Sequence, residues 1–170
     1  MIRWLGFLLI VCGTSAIGIQ MAGGVHRAVR FFQDMQTALD RMSREISYHL
    51  TPLAQLTQTV AQDLTEPVNA LISAFGSRLL SAPEEPMQMH MLEAMKSCGA
   101  AVPQEARRIL MTLSGSLGRQ DVSAQVSALE TASREIEAVR KDYENRQKTQ
   151  CRSYETLGVC AGLAVAILFI

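Results

Sequence analysis

The sequence predicts an all-α protein, a compact bundle of about six helices flanked by a transmembrane helix at each end. Apolar residues recur at steps of three and four through the middle of the chain, and no segment sustains the period-two alternation of a strand. Each end carries a long apolar stretch without charge. The predicted divisions are an N-terminal anchor at residues 1–24, a helical bundle at 25–153 and a C-terminal anchor at 154–170.

The N-terminal stretch is uncharged from Trp4 to Val25. About 20 such residues, each rising 1.5 Å in a helix, cross a hydrocarbon core of about 30 Å. A cleaved signal peptide is the alternative, because Arg3, the apolar run and the small residues at Thr14–Ala16 imitate its three regions. The apolar run continues past that point, which favours a retained anchor.

The C-terminal stretch is uncharged from Thr156 onward and, counted from Tyr154, offers about 25 Å of helix. Gly158 and Gly162 have the spacing of small residues that lets two membrane helices approach closely. A buried core helix is the alternative, but a soluble helix normally has one polar face and this segment has none.

The basic residues near the two stretches predict the orientation of the chain. Only Arg3 lies outside the central region, whereas the central flanks carry Arg27, Arg30, Arg146, Lys148 and Arg152. The positive-inside rule therefore places the central bundle in the cytoplasm and both termini on the opposite side of the membrane.

The central region divides into six predicted helices. The first ends at Thr51-Pro52, because the residue before proline avoids the helical conformation. Thr65 is expected to cap the third helix, Gly118 to close the fifth and Asp121 to cap the sixth, which runs on into the C-terminal anchor. The fourth is predicted at Met87–Cys98. The apolar stripe of the first helix consists of Val25, Ala28, Phe32, Met35, Leu39, Met42, Ile46 and Leu50.

Motifs for chemistry are absent from the sequence. Sixteen basic and sixteen acidic residues give zero net charge. The chain therefore lacks the excess of positive charge that attracts nucleic acid, and no nucleic-acid partner is predicted. The sequence contains no GxxxxGK[ST] or GxGxxG loop for nucleotides and no GxSxG or HExxH motif. Of the three histidines, His26 and His49 lie 23 residues apart on the first predicted helix and His90 lies on the fourth, and the four cysteines form no CxxC pair. We therefore predict no catalytic, metal-binding or cofactor-binding residues, no cofactor and no small-molecule substrate.

The segment from Met87 to Met91 contains thioether and imidazole groups, which are ligands that suit Cu(I). Residues two apart on a helix point about 200° apart, so Met87 and Met89 cannot share an ion. Met87, Met91 and Met95 instead share a face and are expected to fill the core as adaptable side chains.

Three short patches of sequence occur in a distinctive order. One joins the first and second helices, one has an LGxxDxxxQ pattern between the fifth and sixth, and one has a YxxLGVxxGLxxxIL pattern at the C-terminus. Their positions are Glu45, Thr51, Pro52, Leu53, Gly118, Asp121, Gln125, Leu157, Gly158 and Gly162. In these patches, and in the helix spacing between them, the chain resembles the stage III sporulation protein AB family of endospore-forming bacteria. Residues 81–103 depart from the family, which often has a tryptophan in the fourth helix where this chain has methionines.

The resemblance implies a structural component of a sporulation-specific, secretion-like membrane complex that links mother cell and forespore. It implies a place in the cell membrane, on the mother-cell side of the forespore envelope. The implied role is that of an adaptor between membrane components and a separate cytoplasmic ATPase, with other sporulation channel proteins and membrane lipid as further partners. The helical domain would resemble that of type II secretion and type IV pilus platform proteins. At the motif positions, packing and turn geometry are the alternative to partner contact.

Three other interpretations stay open from the sequence. The chain would also suit a membrane-tethered scaffold of another secretion or pilus system, or a secreted helical protein whose N-terminus is removed. The third interpretation is an enzyme. It would have to depend on residues such as His90 or Glu84, and neither belongs to a catalytic motif in the sequence.

Overall fold

The computed structural model confirms the all-α prediction. It describes the backbone of residues 2–49, 52–117 and 121–168, and the side chains of residues 24–48, 52–117 and 121–149. Within these ranges there are six α-helices, one short 3-10 helix at Gly99–Ala101 and no strand. The helices are α1 at Ile2–His49, α2 at Leu53–Ala61, α3 at Val68–Ser81, α4 at Met87–Cys98, α5 at Gln104–Ser116 and α6 at Val122–Leu168.

The chain forms two compact units. One consists of residues 1–29 together with 141–170, the distal parts of α1 and α6, and the other of residues 30–140. Among the described residues, none of the helices offers an apolar segment of the length that a membrane crossing requires. The anchors predicted at 1–24 and 154–170 fall almost entirely on side chains outside the described residues, and they stay predictions.

Helix α1 supplies the largest buried surface of the second unit. The predicted stripe is confirmed from Phe32 to Ile46, and Phe31 and Ala38 widen it. Taken at 100° per residue, the buried side chains cover an arc of about 140° on the helix. Burying each large apolar side chain contributes about 1.5–3 kcal/mol. The buried residues of this face are Phe31, Phe32, Met35, Ala38, Leu39, Met42, Ser43 and Ile46.

Polar contacts hold the two edges of this face. On one edge, Arg41 forms an ion pair with Asp63 in the connection between α2 and α3. Seven residues earlier, on the same edge, Asp34 accepts a hydrogen bond from the Thr65 hydroxyl in that connection. On the other edge, Asp40 accepts a 2.5 Å hydrogen bond from the buried Ser133 hydroxyl of α6.

The cap predicted at Thr65 is wrong. Helix α3 begins at Val68 behind Pro67, and no side chain caps its first turn. The Thr65 hydroxyl instead donates to Asp34 of α1. The local sequence favours a cap at Thr65, but the Thr65 hydroxyl donates its hydrogen bond to an acceptor 31 residues away in sequence.

The remaining helices pack in chain order, α2 on α3, α3 on α4 and α4 on α5. Gly99 ends α4 with φ of +56°, a left-handed conformation that favours glycine. At Gly76, α3 packs closely against α2. A Cβ added at Gly76 would overlap the hydroxyl of Thr57, a fully buried residue, and lie 3.0 Å from its Cβ.

Gly76→Ala is therefore expected to lower the free energy of unfolding by about 1–3 kcal/mol, because the buried Thr57 side chain, and the helix that carries it, must shift to admit the methyl group. The measurement is denaturant unfolding of the purified full-length protein. Gly24→Ala is the matched control, since a Cβ at this helical position meets nothing within 4 Å. Adding Thr57→Ala to Gly76→Ala should restore part of the lost free energy of unfolding. Equal free energies of unfolding for Gly76→Ala and the wild type would contradict the close approach.

Candidate docking surface

Among the motif positions around the start of α2, Pro52 has a structural role. The Pro52 carbonyl accepts hydrogen bonds from the backbone N–H groups of Gln55 and Leu56, both at 3.0 Å, and so starts the helix. Leu53 and Glu45 are half-buried, and Thr51 lies outside the described residues. The contacts at Pro52 are those of a helix corner and do not themselves indicate a partner.

The predicted cap of α6 is present. Asp121 Oδ1 accepts hydrogen bonds from the Ser123 N–H at 2.9 Å and from the Ser123 hydroxyl at 2.8 Å. The backbone N–H of Gln125, a half-buried residue, donates to the Asp121 carbonyl at 3.2 Å. Asp121 therefore satisfies a donor that the first turn of a helix leaves without an intrahelical acceptor.

The other motif positions fall where the structure says less. Gly118 lies outside the described residues. The backbone of Leu157, Gly158 and Gly162 belongs to α6, but these positions fall in the range 150–170, whose side chains lie outside the described residues. Their predicted role in the third patch stays a prediction.

An open groove of about 360 Å³ runs between α5 and α6, beginning within a turn of Asp121. Ile109 and Leu113 of α5 form its apolar floor. Its α6 wall consists of Ala124, Ser127, Ala128, Thr131 and Ala132, with Glu135 at the end. These residues recur at three and four positions, so they share one helix face. Small side chains on that face leave space beside the backbone.

A second groove, of about 540 Å³, lies between α3 and α4. Small residues also line this groove, and charged groups lie on its rim. Arg78 Nη2 lies 3.3 Å from one Glu93 carboxylate oxygen, and Lys96 Nζ donates to the other at 2.6 Å. The lining residues are Ala74, Ser77, Arg78, Ser81, Glu93, Ala94, Lys96 and Ser97.

The methionine segment of α4 serves mainly as core. Met91 and Met95 are buried and Met87 is half-buried, as predicted, whereas Met89 is 45% exposed. His90 is also buried; its Nδ1 has no hydrogen-bond partner and lies 3.8 Å from a Glu85 carboxylate oxygen.

Groups for chemistry do not converge in the described part of the chain. No three His, Cys, Asp or Glu side chains there are placed to hold a metal ion. Burial raises the pKa of the Cys98 thiol, which disfavours the reactive thiolate.

Residues 3–170 match the family described as stage III sporulation protein AB. The chain belongs to this family. It is 27% identical to stage III sporulation protein AB of Bacillus subtilis (strain 168) over 169 residues, 99% of each chain. A solved structure of stage III sporulation protein AB superposes with a TM-score of 0.63 at 26% identity, and the match covers 70% of this chain and 94% of that one.

Family membership confirms the resemblance seen in the three patches. The structure adds the two grooves, which the sequence patterns did not predict. The α6 wall was readable in the sequence as small residues at helical spacing, from Ala124 to Ala132. The ion pair between Arg78 and Glu93 had no such signal, because the two residues lie on different helices.

Asp121→Ala is expected to lower the thermal midpoint at neutral pH, because the Ser123 N–H loses its acceptor. The side-chain hydrogen bond from Ser123, and then its backbone N–H, lower the pKa of Asp121. A lowered folded-state pKa stabilises the fold above the ordinary carboxyl value, and this contribution is lost as pH falls through the lowered value. Thermal melts from about pH 7 to about pH 2 should thus show the difference from wild type shrinking in acid.

Asp121→Asn is the control for the pH series, since its amide oxygen still caps the helix without ionising. It should melt closer to wild type than Asp121→Ala does at neutral pH. A difference between Asp121→Ala and wild type that stays constant into acid would contradict the role of the ionised cap.

Proposed function

We propose that this protein is an assembly component of a sporulation-specific, secretion-like membrane complex between mother cell and forespore. In it the helical bundle acts as an adaptor that joins membrane components and other channel proteins to a separate cytoplasmic ATPase. Membership of the stage III sporulation protein AB family supports the link to sporulation and favours it over a pilus or general secretion system.

The open groove between α5 and α6 carries the docking role. A small-molecule site is a concave pocket that encloses most of its ligand and holds a few convergent polar groups. This groove is instead shallow, with an apolar floor at Ile109 and Leu113 and a wall of small residues. Such a surface accepts the side chains of a partner helix, in the mode by which an amphipathic helix lies in a groove.

The uncharged stretches at the two ends support the proposed location. With both anchors in the cell membrane, on the mother-cell side of the forespore envelope, the basic flanks hold the bundle in the cytoplasm. The bundle then lies where a cytoplasmic ATPase reaches it. Its task is to position partners, and no catalytic step is assigned to it.

The test is replacement of the chromosomal gene in the organism that encodes this chain. Deletion is expected to abolish heat-resistant spores, and the wild-type gene to restore them. Ser127→Trp is expected to fail to restore them, because the indole fills the α5–α6 groove beside the exposed Ser127. Spore counts, with protein levels measured by immunoblot, give the readout.

Thr59→Trp is the matched control. Thr59 is an exposed helical position on α2 and lines neither groove, and the substitution introduces the same indole side chain without changing charge. It should restore spores as the wild type does. Normal spore numbers in the deletion strain would overturn the proposed function, and normal numbers with Ser127→Trp would remove the α5–α6 groove from it.

A further inference from the structure

The groove between α3 and α4 has a chemistry of its own. Residues from both helices with side chains no larger than serine line its floor, Ala74 and Ser77 from α3 and Ala94 and Ser97 from α4. The Ser77 and Ser97 hydroxyls donate to carbonyls of their own helices, Ser73 and Ala94. These two hydroxyls therefore have acceptors within the bundle. The floor offers a partner a shape to fit and, at these two serines, no unsatisfied hydrogen-bond donor.

The rim of this groove carries one positive charge in excess. Arg78 and Lys96 both contact the single carboxylate of Glu93. The side chains of Arg78 and Lys96 remain 41% and 59% exposed, so both cations are accessible from outside. One carboxylate between two cations leaves a site where a further carboxylate is attracted.

Other charged groups lie near the two ends of α4. Glu84 and Glu85 precede its first residue, which is about 14 Å along the helix from Lys96 at 1.5 Å per residue. Near its far end, Glu66 raises and Arg107 lowers the pKa of the Cys98 thiol, so charges of both signs lie there. In the described ion pairs, Arg78 and Lys96 share the carboxylate of Glu93.

Apolar side chains continue the surface along α4. Met89 and Leu92 are 45% and 36% exposed, unlike most large apolar residues of the bundle. Met89 lies one turn from Glu93, and Leu92 one turn from Lys96, so all four share the outer face of α4. Methionine adapts its shape to different partners, which suits a contact surface.

We propose that the α3–α4 groove, with Met89 and Leu92 beside it, docks an acidic amphipathic helix of a protein partner. The apolar side chains of that helix lie against Met89, Leu92 and the small floor, and its carboxylates face Arg78 and Lys96. The inference rests on the proposed adaptor function and gives the adaptor a second face, separate in sequence from the α5–α6 groove. The charge excess selects acidic partners over basic ones.

The first test places a photo-reactive benzoylphenylalanine at Ser77 of the full-length protein in sporulating cells. Irradiation is expected to join this position to a second protein, and mass spectrometry to map the adduct to an amphipathic helix with acidic residues. The same probe at Gln58, an exposed position on α2, is the background control. Adducts to a second copy of this chain, to lipid, or to a non-acidic segment would overturn the proposal, as would a Ser77 yield no higher than background.

The second test reverses one charge. Lys96→Glu, combined with the Ser77 probe, is expected to lower the adduct yield about tenfold, because it removes one cation and sets a second carboxylate beside Glu93. Arg108→Glu makes the same charge change at an exposed position of α5 that lines neither groove, and it should leave the yield unchanged. Circular dichroism melts of both variants confirm that the bundle folds.

Equal yields with Lys96→Glu and Arg108→Glu would overturn the role of charge in this groove. Failure here is distinguishable from failure of the proposed function. If the α3–α4 groove is not a docking face, deletion of the gene still abolishes spores. If the protein has no part in sporulation, deletion leaves spores normal whatever the adducts show.

Discussion

Between Phe31 and Ile46, α1 buries a broad apolar face. Side chains at its edges contact the connection between α2 and α3 on one side and α6 on the other. The face is wider than the single stripe of a surface helix, because Phe31 and Ala38 stand beside the expected positions. Polar residues border it on both sides, with Asp34 and Arg41 on one edge and Asp40 on the other. Apolar burial supplies the free energy of folding, whereas these edge contacts fix which connection and which helix lie beside α1.

This arrangement has a consequence for function. Because the large side chains are gathered at the core, small residues remain on the outer sides of the α3–α4 and α5–α6 pairs. Grooves of that kind let a second helix approach closely. In the proposed adaptor function, each of the two grooves receives a helix of one partner.

Much of the fold was predictable from sequence. The bounds of α4 and the cap at Asp121 followed from local signals, a methionine-rich helix between prolines and an acidic residue before an apolar run. Thr65 was misassigned because its partner, Asp34, lies 31 residues away in sequence, beyond the reach of local patterns. The two grooves could be predicted from the sequence only in part. Helical spacing shows which residues share the face of one helix, whereas tertiary packing decides which second helix completes the groove. The Arg78–Glu93–Lys96 cluster could not be predicted either, because it joins residues of two helices that only tertiary packing brings together.

Hydrogen–deuterium exchange of the full-length protein, alone and within the isolated sporulation complex, tests whether a rigid core presents two docking faces. Amides of α1 between residues 31 and 46 are expected to exchange slowly in both states, because this segment carries the buried apolar face of the helix. Additional protection in the complex should fall on α3, α4, α5 and the adjoining part of α6, where the grooves lie. Rapid exchange in α1, or protection in the complex that avoids both grooves, would contradict the account of a rigid core that presents two docking faces.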